Sequence, residues 1–96
     1  MPELSERDKA ELDLALALLQ RLGAREIYLF GSMARGDADD HSDWDLAVRG
    51  LPAQAYFPAL GKLSDAMSRT VDLIDLDEGS PFVAHILSKK DLIRVA

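Results

Sequence analysis

Residues 31–46, GSMARGDADDHSDWDL, decide the fold of this chain. They follow a short apolar run at residues 27–30, whose β-branched and aromatic members predict a strand buried on both faces. They lead into residues 43–49, where polar and apolar side chains alternate and predict a second strand. Its two faces carry Trp44, Leu46 and Val48 on the apolar side and Asp43, Asp45 and Ala47 on the other.

The turn at residues 31–36 leaves the first strand, where backbone N–H groups at the start of a helical turn can hold phosphate. Gly31 would let the backbone approach a ligand closely, Ser32 adds a hydroxyl, and Arg35 adds a charge that can bind phosphate oxygens. Alone the pattern is weak, because many Gly-Ser pairs after strands are only turns. The residues that follow strengthen the interpretation of this turn as a phosphate-binding site.

Two aspartates open the second strand with a spacing that suits metal binding. Asp43 and Asp45 are separated by one residue, so both carboxylates project from one face with Cα atoms ~7 Å apart. Two such groups can share a pair of metal ions spaced at ~3.5–4 Å. The alternative is a solvated strand face, which fits an isolated Asp-x-Asp better.

A third carboxylate lies in a strand predicted over residues 71–76. Asp72 stands among Val, Leu and Ile, where an acidic residue without a partner is costly. Three carboxylates ~6 Å apart repel by ~3 kcal/mol per pair at an effective dielectric constant near 20, and hard cations reverse that cost. Asp75 competes for this role, although its odd offset from Asp72 turns it to the opposite face of a regular strand.

The other elements are predicted from caps and apolar spacing. Ser5 opens a helix over residues 6–22, whose apolar face is wide enough for part of it to meet another chain. That face has two leucine stripes, which are Leu12, Leu16 and Leu19, and Leu14, Leu18 and Leu22. A helix over residues 57–68, a short helix begun by Ser80 and Pro81, and a strand over residues 92–95 complete the order α-β-turn-β-α-β-α-β.

Composition limits the classes of function. Ninety-six residues suffice for one domain, residues 1–96, with one core. The absence of cysteine excludes disulfides and cysteine-ligated zinc, and leaves oxygen ligands for a hard cation. A net charge of −6 argues against a long nucleic-acid substrate. No apolar run is long enough to cross a membrane and no signal peptide opens the chain, so we expect a cytoplasmic protein.

The remaining polar residues are interpreted as surface. His41 and His85 each lack a second histidine at ligand spacing, which favours surface or packing roles. Asp37, Asp39 and Asp40 are interpreted as a solvated loop that raises the local concentration of a hard cation. Trp44 is expected in the core, because it alternates with the other apolar residues of its strand.

Together these motifs resemble the minimal nucleotidyltransferases, the smallest members of the polymerase-β-like nucleotidyltransferase superfamily. The family pattern is Gly-Ser-x-Ala-Arg-Gly, then Ser-Asp-x-Asp-Leu, and a third Asp in a Val-Asp-Leu strand. Residues 31–36, 42–46 and 71–73 match it at every fixed position. One departure lies near the last strand, where relatives often have Gly and this chain has Lys89-Lys90-Asp91. That departure concerns the turn and leaves the catalytic set intact.

The resemblance implies an α/β (α+β) fold with a mixed sheet, ATP and magnesium as cofactors, and transfer of AMP to an acceptor hydroxyl. It assigns the two metals to Asp43 and Asp45 and makes Asp72 the third ligand or the base. Gly31 and Ser32 would hold the triphosphate, with Arg35 as the basic member of the same motif.

The resemblance also implies a partner. Larger relatives carry an extra domain for the acceptor, and 96 residues leave no room for one, so we expect the acceptor to belong to another chain. Minimal nucleotidyltransferases are commonly antitoxins of helical HEPN-type toxins, and some add AMP to a toxin tyrosine. We therefore expect an antitoxin of this kind, in a homo- or hetero-oligomer. The alternative is a non-enzymatic antitoxin that neutralises its partner by binding. An aminoglycoside nucleotidyltransferase is disfavoured, because it would need the acceptor domain.

Overall fold

The computed structural model describes residues 3–88 and 91–96. Within them the predicted order of helices and strands is confirmed except at residues 31–35, where the predicted turn is a short helix; the other boundaries differ by one or two residues. The bounds are α1 Glu6–Arg21, β1 Glu26–Phe30, α2 Gly31–Arg35, β2 Trp44–Arg49, α3 Tyr56–Ala66, β3 Val71–Asp75, α4 Pro81–Ser88 and β4 Ile93–Arg94. A 3-10 turn at Ala53–Ala55 leads into α3, which carries Pro58 in its first turn as predicted.

The strands form one four-stranded mixed sheet in the order β3-β2-β1-β4. β1 pairs antiparallel with β2 and β4, whereas β2 pairs parallel with β3. The predicted α/β fold with a mixed sheet is therefore confirmed. Because β2 runs against β1 and along β3, the end of β1 lies beside the starts of β2 and β3. The residues of all three strands that match the family pattern thus meet at one edge of the sheet.

α1 begins where the sequence indicates. The Ser5 side chain accepts a hydrogen bond from the Asp8 N–H at 3.1 Å, which satisfies one of the free N–H groups at the helix start. One leucine stripe faces the core, with Leu12 and Leu19 buried. Most of the second stripe packs against the core as well, and only Leu14 is exposed, at 49%. The apolar surface left for another chain on α1 is therefore smaller than its sequence suggests.

The apolar residues form two clusters, one on each face of the sheet. The major core lies between the sheet and helices α1 and α3, and Trp44 is fully buried in it, as predicted. The minor core lies under α4, where Val83 and Ile86 pack with Phe30 and Ala47. The sequence assigned β2 only one apolar face, but Ala47 is fully buried on the second, because its small side chain leaves room for α4.

The C-terminal elements also follow the prediction. The Ser80 hydroxyl accepts a hydrogen bond from the Val83 N–H at 3.2 Å, so Ser80 caps α4. The last strand is shorter than expected, since β4 covers only Ile93–Arg94. In the part of the chain described, no helix is long and apolar enough to cross a membrane.

Two substitutions on α1 measure how much the major core contributes to the free energy of unfolding. We expect Leu19→Ala to lower the free energy of unfolding by about 2–5 kcal/mol, because it removes a fully buried side chain and leaves a cavity. The matched control Leu14→Ala changes an exposed leucine of the same helix and should stay within about 0.5 kcal/mol of the parent chain. Urea denaturation measures both. A comparable loss in the control would mean that Leu14 is covered in solution.

Candidate active site

The predicted carboxylates lie where β1 ends and β2 and β3 begin. Asp45 is in register with Phe30 of β1 and with Asp72 of β3, and Asp43 directly precedes β2. Neighbouring strands are ~4.8 Å apart, so Asp45 and Asp72 are adjacent. All three aspartates alternate with residues of the major core and therefore point to the side of the sheet that carries α4.

Asp75 lies elsewhere. It is in register with Val48, three positions along β3 from Asp72. Its carboxylate accepts a hydrogen bond from the Asp77 N–H at 2.9 Å, so it stabilises the turn after β3. Of the two candidates for a third carboxylate, Asp72 is the one beside Asp45.

Asp45 lies directly against the backbone of Gly31. A Cβ atom built on Gly31 would stand 2.1 Å from Asp45 Oδ2, far inside van der Waals contact. Gly31 also has a φ of +74°, a left-handed conformation that side chains disfavour. Only glycine fits here on both counts. The first residue of α2 and the middle carboxylate are therefore held in contact.

The site repels its own negative charges. Burial, followed by the charges of Asp72 and Asp43, raises the pKa of Asp45 to about 6, and the nearby Arg35 opposes the shift. A divalent cation would reverse this repulsion, and carboxylate oxygens are the ligands that magnesium prefers. No three His, Asp or Glu side chains within residues 3–88 and 91–96 already stand in an arrangement that holds an ion. The strands thus bring the carboxylates together without a finished coordination geometry.

The other members of the motif lie along α2. Ser32 is half-buried, and its carbonyl accepts hydrogen bonds from the N–H groups of Gly36 and Asp37. Arg35 lies at the opposite end of α2 from Gly31, where its guanidinium donates to Asp91 at 2.9 Å and to Asp37 at 3.3 Å. Arg35 is therefore paired with two carboxylates here, and its contact with phosphate remains a prediction.

The acidic loop, residues 37–43, is exposed but folded on itself. The Asp39 carboxylate accepts hydrogen bonds from the His41 N–H and the Ser42 hydroxyl, and the bond from His41 lowers the pKa of Asp39. Asp37, Asp39 and Asp40 are all solvated, as the sequence indicated. His41 and His85 are exposed as well.

Sequence reasoning missed Arg69. This half-buried arginine contacts both oxygens of the Asp8 carboxylate and the carbonyls of Asp39 and Ser42. Its hydrogen bond holds the pKa of Asp8 below its usual value. The only available signal was a lone basic residue close before Asp72, which resembles any surface arginine when read as sequence.

A cavity of about 610 Å³ lies beside this region rather than in it. It is bounded by the start of α1, the end of α2, the acidic loop and Arg69, and none of the three predicted carboxylates lines it. Its size alone would make it the first choice for a ligand site. We still expect the site at the carboxylate edge, because the phosphoryl chemistry that the resemblance implies needs positioned negative ligands more than enclosed volume.

Comparison with known proteins bears on the same residues. The family model described as "Polymerase beta, Nucleotidyltransferase" matches residues 17–95. The protein adenylyltransferase MntA of Aphanizomenon flos-aquae (strain 2012/KM1/D3) is 32% identical over 95 residues, covering 83% of this chain and 63% of the relative. The region matched by the family model contains all of the predicted site residues.

Solved structures give a similar result. The crystal structure of a toxin-antitoxin with AMP-PNP contains a chain that is 35% identical, with a TM-score of 0.61 over 73% of this chain and 60% of the other. The structure of the tri-AMPylated Shewanella oneidensis HEPN toxin in complex with MNT antitoxin contains a chain that is 30% identical. Its TM-score is 0.57, over 75% of this chain and 58% of the other. This chain thus spans about three fifths of the length of these relatives.

Gly31→Ala tests the contact between α2 and Asp45. Gly79 is a matched control, because it has the same φ of +74° but nothing within 4 Å of an added Cβ. Gly79→Ala should cost about 1–2 kcal/mol from backbone strain alone. Gly31→Ala should cost about 1–3 kcal/mol more, because the Asp45 carboxylate must move. Equal losses in chemical denaturation would contradict the packing described.

The raised pKa of Asp45 predicts how stability depends on pH without metal. In the folded chain Asp45 keeps its proton up to about pH 6, whereas its ordinary value is 3.8. The folded state therefore binds more protons than the unfolded state between these values, and this contribution to stability is lost as pH rises through about 6. Asp45→Asn should remove that part of the pH dependence. At neutral pH the variant should have a higher melting temperature than the parent chain, because its amide carries no charge.

Thermal melts in the presence of a chelator, repeated across the acidic pH range, give this comparison. Asp65→Asn, on the exposed side of α3, serves as the control and should keep the parent profile. Parallel profiles for the parent chain and Asp45→Asn would mean that Asp45 ionises normally.

Proposed function

The chain belongs to the polymerase beta nucleotidyltransferase family, and we propose that it transfers AMP from ATP to a hydroxyl group of a partner protein with the help of magnesium. The observation that carries the proposal is the register of Asp45 with Asp72 on parallel strands, with Asp43 two residues away and Gly31 against the middle carboxylate. This arrangement concentrates negative charge beside the start of α2, where a phosphate chain and its cations would be held.

In this proposal Asp43 and Asp45 hold magnesium, and Asp72 is the third ligand or the base. Asp45 supports this assignment, since burial and then the neighbouring carboxylates raise its pKa, and a bound cation would remove the repulsion from those neighbours. When bound, magnesium would neutralise the phosphate oxygens and help to align the attacking and leaving oxygens.

The triphosphate is assigned to the start of α2. The N-cap of this helix is Phe30, whose side chain makes no capping hydrogen bond, so the N-cap residue does not compete with phosphate for the first N–H groups. Ser32 adds a hydroxyl at the same end. Arg35 would have to exchange Asp37 or Asp91 for a phosphate oxygen to contribute.

The transfer step needs no nucleophile from this chain. The acceptor oxygen forms a bond to the α-phosphorus of ATP, the bond between the α- and β-phosphates breaks, and pyrophosphate leaves with the electron pair. The acceptor proton passes to a base, for which Asp72 is the candidate, and then to water. The work of the protein is to position the reactants and to neutralise charge.

The acceptor is proposed to be a tyrosine of a HEPN-type toxin, which makes this chain an antitoxin. The support comes from relatives, one of which is named a protein adenylyltransferase, while another is an MNT antitoxin in complex with a tri-AMPylated HEPN toxin. The exposed acidic loop and the net charge of −6 suggest a basic docking surface on the partner, with binding that weakens as salt increases.

Mass spectrometry of the partner, after incubation with this chain, ATP and magnesium, tests the proposal. We expect the partner to gain one or more AMP units. Asp43→Asn should abolish the gain, because it removes a metal ligand while keeping the size of the side chain. The matched control Asp75→Asn changes an aspartate that supports a turn and should retain transfer.

Two outcomes would count against the proposal. Tight binding of the partner without any added AMP would favour a non-enzymatic antitoxin. Loss of transfer in Asp75→Asn, with transfer preserved in Asp43→Asn, would mean that the carboxylates are assigned wrongly.

A further inference from the structure

Arg69 joins three separate parts of the chain. Its Nε and Nη2 donate to the two oxygens of Asp8 in α1, at 3.0 and 3.1 Å. Its Nη1 donates to the carbonyls of Asp39 and Ser42, at 2.7 and 2.8 Å. The side chains of Arg69 and Asp8 are each only 14% exposed. A bidentate pair with this little exposure is better defined than the usual surface ion pair.

These contacts converge on the residue before a proposed metal ligand. Ser42, whose carbonyl accepts from Arg69, directly precedes Asp43. On the other side of Asp43, the Trp44 N–H donates to the carbonyl of Thr70 at 2.8 Å. Asp43 itself lies outside β2, so it has no ladder pairing of its own. Its backbone is instead fixed from both sides by two consecutive residues, Arg69 and Thr70.

The acidic loop has little else to hold it. Its residues are mostly exposed, and its other described hydrogen bonds are made within the loop or at the end of α2. It also carries several negative charges that repel one another. The guanidinium of Arg69 both neutralises part of that charge and satisfies two loop carbonyls. The loop and α1 are thus connected through one side chain.

We propose that Arg69, oriented by Asp8, is a positioning residue that holds the backbone of Asp43 in place for metal binding. This inference rests on the proposed function only in its last step, the use of Asp43 by the metal. The loop anchoring stands on the contacts of Arg69 alone. The hydrogen bonds described for Arg69 go to Asp8, Asp39 and Ser42, so it acts on Asp43 through the backbone of Ser42.

Variants at this position separate anchoring from simple stability. Arg69→Met keeps the length of the apolar stem and removes every donor. Arg69→Lys keeps the charge but cannot serve both oxygens of Asp8 and two carbonyls together, so it should fall between the parent chain and Arg69→Met. The matched control is Arg49→Met, which removes an arginine that pairs with Asp77 at 3.4 Å at the opposite end of β2.

Limited digestion with an Asp-specific protease tests the anchoring without any activity measurement. Under native conditions, we expect cleavage within residues 37–43 to be about tenfold faster in Arg69→Met than in the parent chain, because the loop opens locally. Arg49→Met should cleave there at the parent rate. If Arg69→Met does not fold, Arg69→Lys gives the same comparison with a smaller increase. Unchanged cleavage in a folded variant would overturn the proposal.

The magnesium dependence of AMP transfer tests the consequence for the site. The magnesium concentration for half-maximal transfer should rise about tenfold in Arg69→Met, the range found when residues supporting a metal ligand are changed. The KM for ATP at saturating magnesium should change little. Arg49→Met should keep the parent magnesium dependence, even if it melts at a lower temperature.

The two measurements distinguish an error in the proposed function from an error in the role of Arg69. If the parent chain transfers no AMP, the proposed function is wrong, and digestion still decides whether Arg69 anchors the loop. If transfer occurs and Arg69→Met loses stability with an unchanged magnesium requirement, Arg69 is only a structural clamp and the positioning role is wrong.

Discussion

Mutual repulsion of carboxylates at one edge of the sheet is the cost that the rest of this fold must offset. Burial, together with the charges of Asp72 and Asp43, disfavours the ionised form of Asp45 and raises its pKa to about 6. The chain tolerates this cost because β2 is fixed by pairing on both edges and by apolar packing on both faces. Trp44, Leu46 and Ala47 are all fully buried. The apolar interior therefore holds in place an edge that would separate if it were free.

The sequence predicted this edge well, because the signals were local. Alternation at residues 43–49 placed Asp43 and Asp45 on one face, and the odd spacing of Asp75 favoured Asp72. Glycine at position 31 suggested a close approach of the backbone. Its actual neighbour is the Asp45 carboxylate, so the small residue is needed for packing inside the chain as well as for any ligand. The partner of the glycine could not be inferred, because it depends on strand register.

What the sequence could not predict depends on contacts between distant residues. The pairs Arg69 with Asp8 and Arg35 with Asp91 join residues 61 and 56 positions apart, and no periodicity or motif encodes such distances. The second face of β2 was likewise underestimated, because a single alanine shows no sign of the helix that covers it. The width of the apolar face of α1 suggested an external partner, whereas most of it is used by the core of the chain itself. Composition gives the amount of apolar surface but not its neighbours.

The parallel pairing of β2 with β3 also has a consequence for the order of folding. β1 and β2 are close in sequence and can pair early as a hairpin, but that step brings together only Asp43, Asp45 and Gly31. We expect Asp72 to join them only when β3 pairs with β2 after α3, a slower event because it closes a longer loop. A chain still being synthesised therefore has an incomplete charge cluster until β3 pairs. The late pairing of β3 would thus delay the full electrostatic cost of the three carboxylates until the hydrophobic interior can support it.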